Sequence, residues 1–493
     1  MFSCWVEGGF AESPERNGQM KAWDKIKGFF GAQDMTVGNP TKVLIRFALP
    51  LLIGNFAQQL YNTVDAVVVG RYAGDNALAA VGASGPILNL IIALLMGVST
   101  GAGILVSQYF GAKNREQLSH TICNVLSITV IVGLLSGVLG LVITNPFLRI
   151  MSTPDEIFTD SSSYLSIIMI GFVGCALYNI GAGILRGLGD SVMPLVFLLL
   201  ACGLNIGLDI LFVAVFGMGV PGVAIATVIA QSISALCCVL RILRMKDVFD
   251  AKKRYFIPDK DICLRIFKIG MPVGATQAIF SGAQLMVQSL INSFGTSVIA
   301  TCIAIMRVDG FAMMPNFTFG MSMTTYVGQN IGAGNVERVH SSAKYGLRLA
   351  LLVSAVLVVL ILLFGRQLLM MFTDTESVLD LGARMLKVLA VGYICFAVTQ
   401  VLGGVMRGAG DTVTPMIISV ITTIGVRVPL AYGLAYITRS PELVNGAPES
   451  IYYSLLAAWM VGAIVTALCF RFGKWREKAK KSELQTVQSK ETA

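Results

Sequence analysis

The sequence predicts an all-α membrane protein with twelve transmembrane helices in two six-helix lobes. Three observations carry that expectation. The 493 residues are 55% hydrophobic and only 13% charged, with mean hydropathy +0.74, which places the chain outside the soluble class. About twelve apolar segments are each long enough to cross roughly 30 Å of hydrocarbon at 1.5 Å per residue. Two motifs recur at one offset of 221 residues: QYFGAKN from Gln108 with QNIGAGN from Gln329, and GILRGLGDSVMP from Gly183 with GVMRGAGDTVTP from Gly404. Two matches at one offset mean a duplicated unit. Because each unit has six spans, both copies share one orientation, related by a pseudo-twofold axis along the membrane normal, with a central cavity between them.

Along the chain, residues 1–38 are polar and Gly-rich and are expected to form a cytoplasmic tail. MFSCWVEGGF lacks the basic flank and apolar core of a cleavable signal, and Met20 and Met35 are further candidate starts. The N-terminal lobe, 39–240, holds spans expected at 43–69, 77–106, 120–144, 162–186, 192–216 and 221–242. A basic cytoplasmic linker follows at 241–265. The C-terminal lobe, 266–472, holds spans at 266–293, 297–327, 343–365, 378–406, 413–438 and 451–472, before a basic cytoplasmic tail at 473–493. One side of this arrangement carries 29 of the 37 Lys and Arg, and the other carries five: Arg71, Arg149, Arg366, Arg384 and Arg439. The positive-inside rule therefore puts both termini in the cytoplasm. The net charge of +9 is a topology signal, not a nucleic-acid surface. Ten scattered Cys and two His, with no CxxC pair, argue against a zinc site or a disulfide framework.

The RGxGD(S/T)xxP loops have a local reading, in which Gly ends one helix, Asp190 or Asp411 caps the next, and Pro194 or Pro415 falls in its first turn. Function is expected where the copies differ. Span 1 carries Asn55, Gln58, Asn62 and Asp65 on one face. Its counterpart, span 7, offers Gln277, Ser281, Gln284, Gln288 and Asn292, with no acid. Span 5 has Asn205 and Asp209 in GLNIGLDILF, where TIGVRVPLAYG of span 11 has Arg427 and Pro429.

Counting from the outer helix ends, Asp65 lies roughly 8 Å deep, Thr227 of span 6 roughly 9 Å and Asp209 roughly 12 Å. Asn205, four residues before Asp209, points the same way. Two carboxylates, an amide and a hydroxyl at one level make an oxygen-only set suited to Na⁺ or a proton. An intramembrane charge costs on the order of 2.5–3.5 kcal/mol, so two of them mark a functional site unless they serve only as glue between helices. A close pair of carboxyls can hold a proton that a cation replaces. Asn55, Gln58 and Asn62, with Gln277, Gln284 and Gln288, are candidates for cavity lining or for packing. Asp309 and Arg427 lie near mid-membrane. They read either as a buried ion pair, with Arg307 as the other possible partner of Asp309, or as part of a substrate or second proton site. FAMMPNFTFGMSM of span 8 fits an adaptable cavity wall or ordinary packing.

The stretch FALPLLIGNFAQQLYNTVDAVVVGRYAG, the loop VSQYFGAKN and its repeat VGQNIGAGN, the two RGxGD loops and NIGLDILF together resemble the multidrug and toxic compound extrusion (MATE) family, its DinF-like branch in particular. The resemblance covers about 40–475. It implies the two-lobe MATE fold in the cell membrane. It further implies a monomeric, non-enzymatic secondary antiporter exporting organic, cationic or amphiphilic drugs and toxicants for H⁺ or Na⁺, with no other cofactor and no nucleic-acid partner. It places the coupling ion on the residues matching Asp65, Asn205, Asp209 and Thr227. The acids that the NorM-like branch uses in spans 7 and 10 are missing here. A flippase for lipid-linked oligosaccharides, from the same superfamily, is the alternative; it would call for a more basic cavity than Arg427 and Arg307 suggest. A catalytic constellation and a GxxxxGK(S/T) nucleotide loop are both absent from the sequence.

Overall fold

The computed structural model describes residues 31–477 except 152, 442 and 474, and nothing of the side chain at 90. Residues 1–30, with the candidate starts Met1 and Met20, and 478–493 of the basic tail lie outside the described residues. Among the described residues there is no strand. Eleven long apolar helices and one bent pair give the twelve spans.

The N-terminal lobe comprises α1 (Pro40–Ala73), α2 (Asp75–Gly111), α3 (Arg115–Ile150), α4 in two pieces (Asp155–Ile170 and Phe172–Gly187, bent by 55°), α5 (Val192–Val215) and α6 (Gly219–Leu243). The C-terminal lobe comprises α7 (Lys260–Ser293), α8 (Thr296–Gly332), α9 (Val336–Met370), α10 (Glu376–Gly408), α11 (Val413–Ile437) and α12 (Ser450–Phe472). Each lobe keeps large apolar side chains on its outside. Leu134, Leu135, Val138 and Val142 of α3 are all more than half exposed, which only a lipid surround makes favourable.

Helix ends follow local chemistry. Asn39 Oδ1 accepts from Thr41 N at 3.0 Å, with Pro40 opening α1 where no intrahelical donor is lost. Asp259 Oδ1 caps α7 through Asp261 N (2.8 Å) and Ile262 N (3.3 Å). The RGxGD loops turn through Gly189 and Gly410, at φ +84° and +82°, a region open mainly to glycine. Asp190 Oδ1 then accepts from Val192 N and Met193 N, at 3.2 and 3.0 Å.

The same motifs join the lobes at the basic end. Gln108 Nε2 donates to Gly408 O at 3.0 Å, and its repeat partner Gln329 donates through Nε2 to Gly187 O at 3.1 Å. This is one contact made twice, once in each direction across the pseudo-twofold axis. Gly97 and Gly101 of α2 meet Gly270 and Gly274 of α7 backbone to backbone; a Cβ on Gly97 would stand 2.7 Å from Gly270 O. Toward the other end, the inter-lobe hydrogen bond among the described residues farthest from the seam is Asn55 Nδ2 to Thr318 Oγ1, at 3.0 Å and mid-helix.

Residues 32–38, which the sequence places in the tail, pack into this seam. Gln33 N donates to Leu188 O at 3.0 Å, Met35 N to Gln329 Oε1 at 2.9 Å, and Asn330 Nδ2 to Met35 O at 3.3 Å. Met35 is fully buried. A short polar stretch with no periodicity gives no sequence sign of such docking. The linker is likewise held down, because Asn124 Nδ2 donates to Tyr255 O and Ile257 O while Asn124 Oδ1 accepts from Asp259 N.

Candidate functional site

The polar face of α1 serves two places. Asn55 and Gln58 line a cavity of about 730 Å³ between the lobes. Gln58 Nε2 donates to Asn62 Oδ1 at 3.3 Å, and Asn62 itself is exposed. Asp65, nearly two turns beyond Gln58, turns instead into the N-terminal lobe.

There the four residues expected at one depth come together. Asn205 and Asp209 are fully buried and Asp65 is half-buried. The carboxyl groups of Asp65 and Asp209 lie within hydrogen-bonding reach of each other. Two carboxylates held this close repel each other when both are ionised, so the pair is eased by a shared proton or cation. With the Asn205 amide turned to satisfy both its ends, its nitrogen donates to Asp209 Oδ2 at 2.9 Å and its oxygen accepts from Thr227 N at 3.3 Å. Thr227 Oγ1 donates to Val223 O at 3.0 Å and keeps its lone pairs for other donors. One oxygen of each acid, Oδ1 of Asp65 and Oδ1 of Asp209, is buried without a partner among the described residues. Orphaned acceptors of this kind are costly and mark a place where a proton or an oxygen-seeking cation is stabilised.

Sequence reasoning missed three parts of this site. Tyr61 brings its hydroxyl to Thr227, and buried Tyr164 of α4 sits beside both acids. Tyr61 is four residues before Asp65, so helical spacing could have found it; Tyr164 left no such signal. The third part is backbone. α1 widens into a π turn at Val69–Ala73, one turn after Asp65, and α5 at Ile210–Val215, directly after Asp209, and the two turns pack together. π turns inside α-helices are frequent at functional positions. Val69, Val213, Val220 and Val223 belong, with Tyr164, to one buried apolar cluster.

The C-terminal lobe places its candidates differently. Gln277 lines the cavity. Gln284 Oε1 accepts from an Arg427 guanidinium nitrogen at 2.9 Å, and Gln288 Nε2 donates to Asn292 Oδ1 at 2.9 Å. Asp309 Oδ1 accepts from the Tyr393 hydroxyl at 2.7 Å. The expected ion pair of Asp309 with Arg427 or Arg307 is therefore corrected: Asp309 and Arg427 sense each other only beyond contact distance. Arg307 sits two residues away, about 200° around the helix, and is exposed. Arg427 ends a π turn, Val420–Arg427, whose altered rotation sends it to Gln284. It lines a small recess beside the cavity with Phe280 and Phe396. Asn62, Gln284, Gln288 and Asp309 line neither space. The cavity wall takes Met314, Phe317 and Met321 from α8, and also Arg186 and Arg407, which the sequence reading treated only as parts of helix-end motifs.

The MatE family model matches the chain twice, at residues 50–211 and 272–433, once in each lobe. The chain belongs to the MATE family. This MATE protein is 30% identical over 420 residues to "Probable multidrug resistance protein YoeA" of Bacillus subtilis, across 83% of this chain and 90% of that one. It is 27% identical over 454 residues to "Probable multidrug resistance protein NorM" of Thermotoga maritima, across 89% and 94%. Among solved structures, one described as "Outward-facing conformation of a multidrug resistance MATE family transporter of the MOP superfamily" matches with a TM-score of 0.83 at 26% identity, covering 91% of this chain and 99% of that one. Membership gives this MATE protein its coarse function, multidrug efflux transport by a multi-pass membrane protein.

Proposed function

We propose that this MATE protein is a secondary antiporter that expels amphiphilic organic compounds in exchange for H⁺ or Na⁺, by alternating access with its basic end in the cytoplasm. The observation that carries this reading is the Asp65–Asp209 contact, with its two unpartnered oxygens and its Asn205 and Thr227 neighbours. α1 belongs to both that pocket and the cavity wall. Loading an ion on Asp65 therefore acts on the helix that cargo touches. The π turns beside both acids, with Pro50 breaking the hydrogen-bond ladder of α1, give that helix places to bend.

In the conformation described, the Gln108 and Gln329 contacts hold the basic end shut. An ion entering from the opposite side neutralises the pair, α1 repacks and cargo leaves; the ion-loaded state then favours opening of the basic end. The ion drives this only through its unequal affinity for the two states. One charge moving down 100 mV supplies roughly 2.3 kcal/mol, about fifty-fold in cargo gradient. The test is dye efflux from proteoliposomes under pH and Na⁺ gradients imposed separately. One gradient should drive efflux; response to neither overturns the reading.

A further inference from the structure

The cavity wall carries charge of one sign. Among the described residues that line it, the charged ones are Arg186, in the last turn of α4, and Arg407, in the last turn of α10; no carboxylate faces the space. The two are the same position of the repeated RGxGD motif, one from each lobe. Neither guanidinium has an ion-pair or hydrogen-bond partner among the described residues. Tyr178 and Cys238 are the groups acting electrostatically on Arg186, and no acidic side chain acts on either arginine. Gly403 and Gly320 lie against Arg407, where a Cβ would come within 3.3 Å of a guanidinium nitrogen, so side-chain-free positions make room for the guanidinium at the cavity wall.

A helix C-terminus steadies a cation but supplies no counter-ion. Half-exposed to the cavity and unpaired within the protein, the two guanidiniums leave their donors for whatever fills that space. An anion meets them, and the planar fork of arginine fits a carboxylate or phosphate bidentately. The rest of the wall, with Phe280, Phe317, Phe396, Met314 and Met321, suits an apolar body of variable shape.

We propose that the cavity selects amphiphiles bearing an acidic head group, carboxylate or phosphate, which Arg186 and Arg407 hold while the apolar body lies against the Phe and Met wall. This replaces the expectation of a cationic cargo. It deepens the antiport reading and rests on it for the direction of transport, though not for binding.

The test uses the purified full-length protein in phosphatidylcholine nanodiscs, titrated with three fluorescent probes of equal length: a dansyl alkyl carboxylic acid, its methyl ester and a trimethylammonium analogue. The acid should bind at least about tenfold more tightly than the other two. Arg186→Gln and Arg407→Gln should each weaken acid binding about tenfold and leave the ester unchanged, with Arg407→Lys recovering part of the loss. Equal binding of the three probes by the unaltered protein, or preference for the cation, overturns the assignment whether or not the variants fold. Adding phosphatidic acid to the nanodiscs separates the sources. Competition with the probe assigns the head group to a membrane lipid and its absence to a dissolved compound, and both support an acidic ligand. Loss of acid selectivity would leave the antiport reading standing. Selective binding without gradient-driven efflux would overturn that reading alone.

Discussion

The two lobes share a scaffold and differ in chemistry. In the N-terminal lobe, α1, α5 and α6 converge on two neighbouring acids, each with an unpartnered oxygen, and on a buried apolar cluster that includes Tyr164. In the C-terminal lobe, α7 and α11 bring together Arg427 and Gln284, while Asp309 of α8 is satisfied by Tyr393. The basic end is the opposite case, because there the copies do the same thing reciprocally through Gln108 and Gln329. Duplication thus supplies the shared frame and the proposed gate, and divergence of a few polar side chains confines the proposed ion site to one half.

The sharpest way to break this contrast is to remove one acid. Asp65→Asn or Asp209→Asn should reduce gradient-driven dye efflux to the level of empty liposomes, a loss of at least about tenfold, with the protein still folded and inserted. The matching change in the other lobe should behave differently. Tyr393→Phe leaves the Asp309 carboxyl without its donor, so thermal stability should fall by about 1–2 kcal/mol while the pH dependence of efflux keeps its midpoint. A shifted midpoint would place a coupling group in the C-terminal lobe and end the asymmetry.

The shared gate predicts a smaller effect. Gln108→Ala and Gln329→Ala each remove an inter-lobe hydrogen bond worth about 1 kcal/mol. Thiol labelling of Thr412→Cys, on the cavity wall near the basic end, by a reagent applied to the basic side should rise roughly five-fold in either variant, and by similar amounts if the two contacts are equivalent.

The smallest effect belongs to the linker. Arg115 donates to Asp250 and holds that carboxyl below the usual carboxylate range, but both side chains are over two-fifths exposed. A lowered folded-state pKa stabilises above the unfolded value, near 4, and that contribution is lost as pH falls through the folded value. Asp250→Asn should therefore leave the melting temperature unchanged within error at pH 7 in 0.15 M salt. Any gap between variant and parent should close below about pH 4.

Much of this was legible in the sequence, and the exceptions have physical causes. Apolar length reveals spans because lipid tolerates little else, and the 221-residue offset reveals the lobes because duplicated contacts need duplicated residues. Depth counting brought Asp65, Asn205, Asp209 and Thr227 together because a straight helix converts residue number into height. It failed where helices are not regular. The π turn ending at Arg427 redirects that side chain to Gln284, and Tyr164 reaches the acids from the bent α4, whose path no spacing rule describes. Arg186 and Arg407 were hidden in another way. A motif fully explained by helix-end chemistry gave no cause to ask where its arginines point, and only packing shows that they meet one cavity.

The central claim, that the paired acids of the N-terminal lobe exchange their ion for cargo, is tested most directly by running the cycle backwards. In proteoliposomes without an ion gradient, an imposed dye gradient should drive H⁺ or Na⁺ in the opposite direction, read by an internal pH indicator or by tracer sodium. Asp209→Asn should abolish that ion movement. Ion flux of undiminished size in the variant would contradict the account.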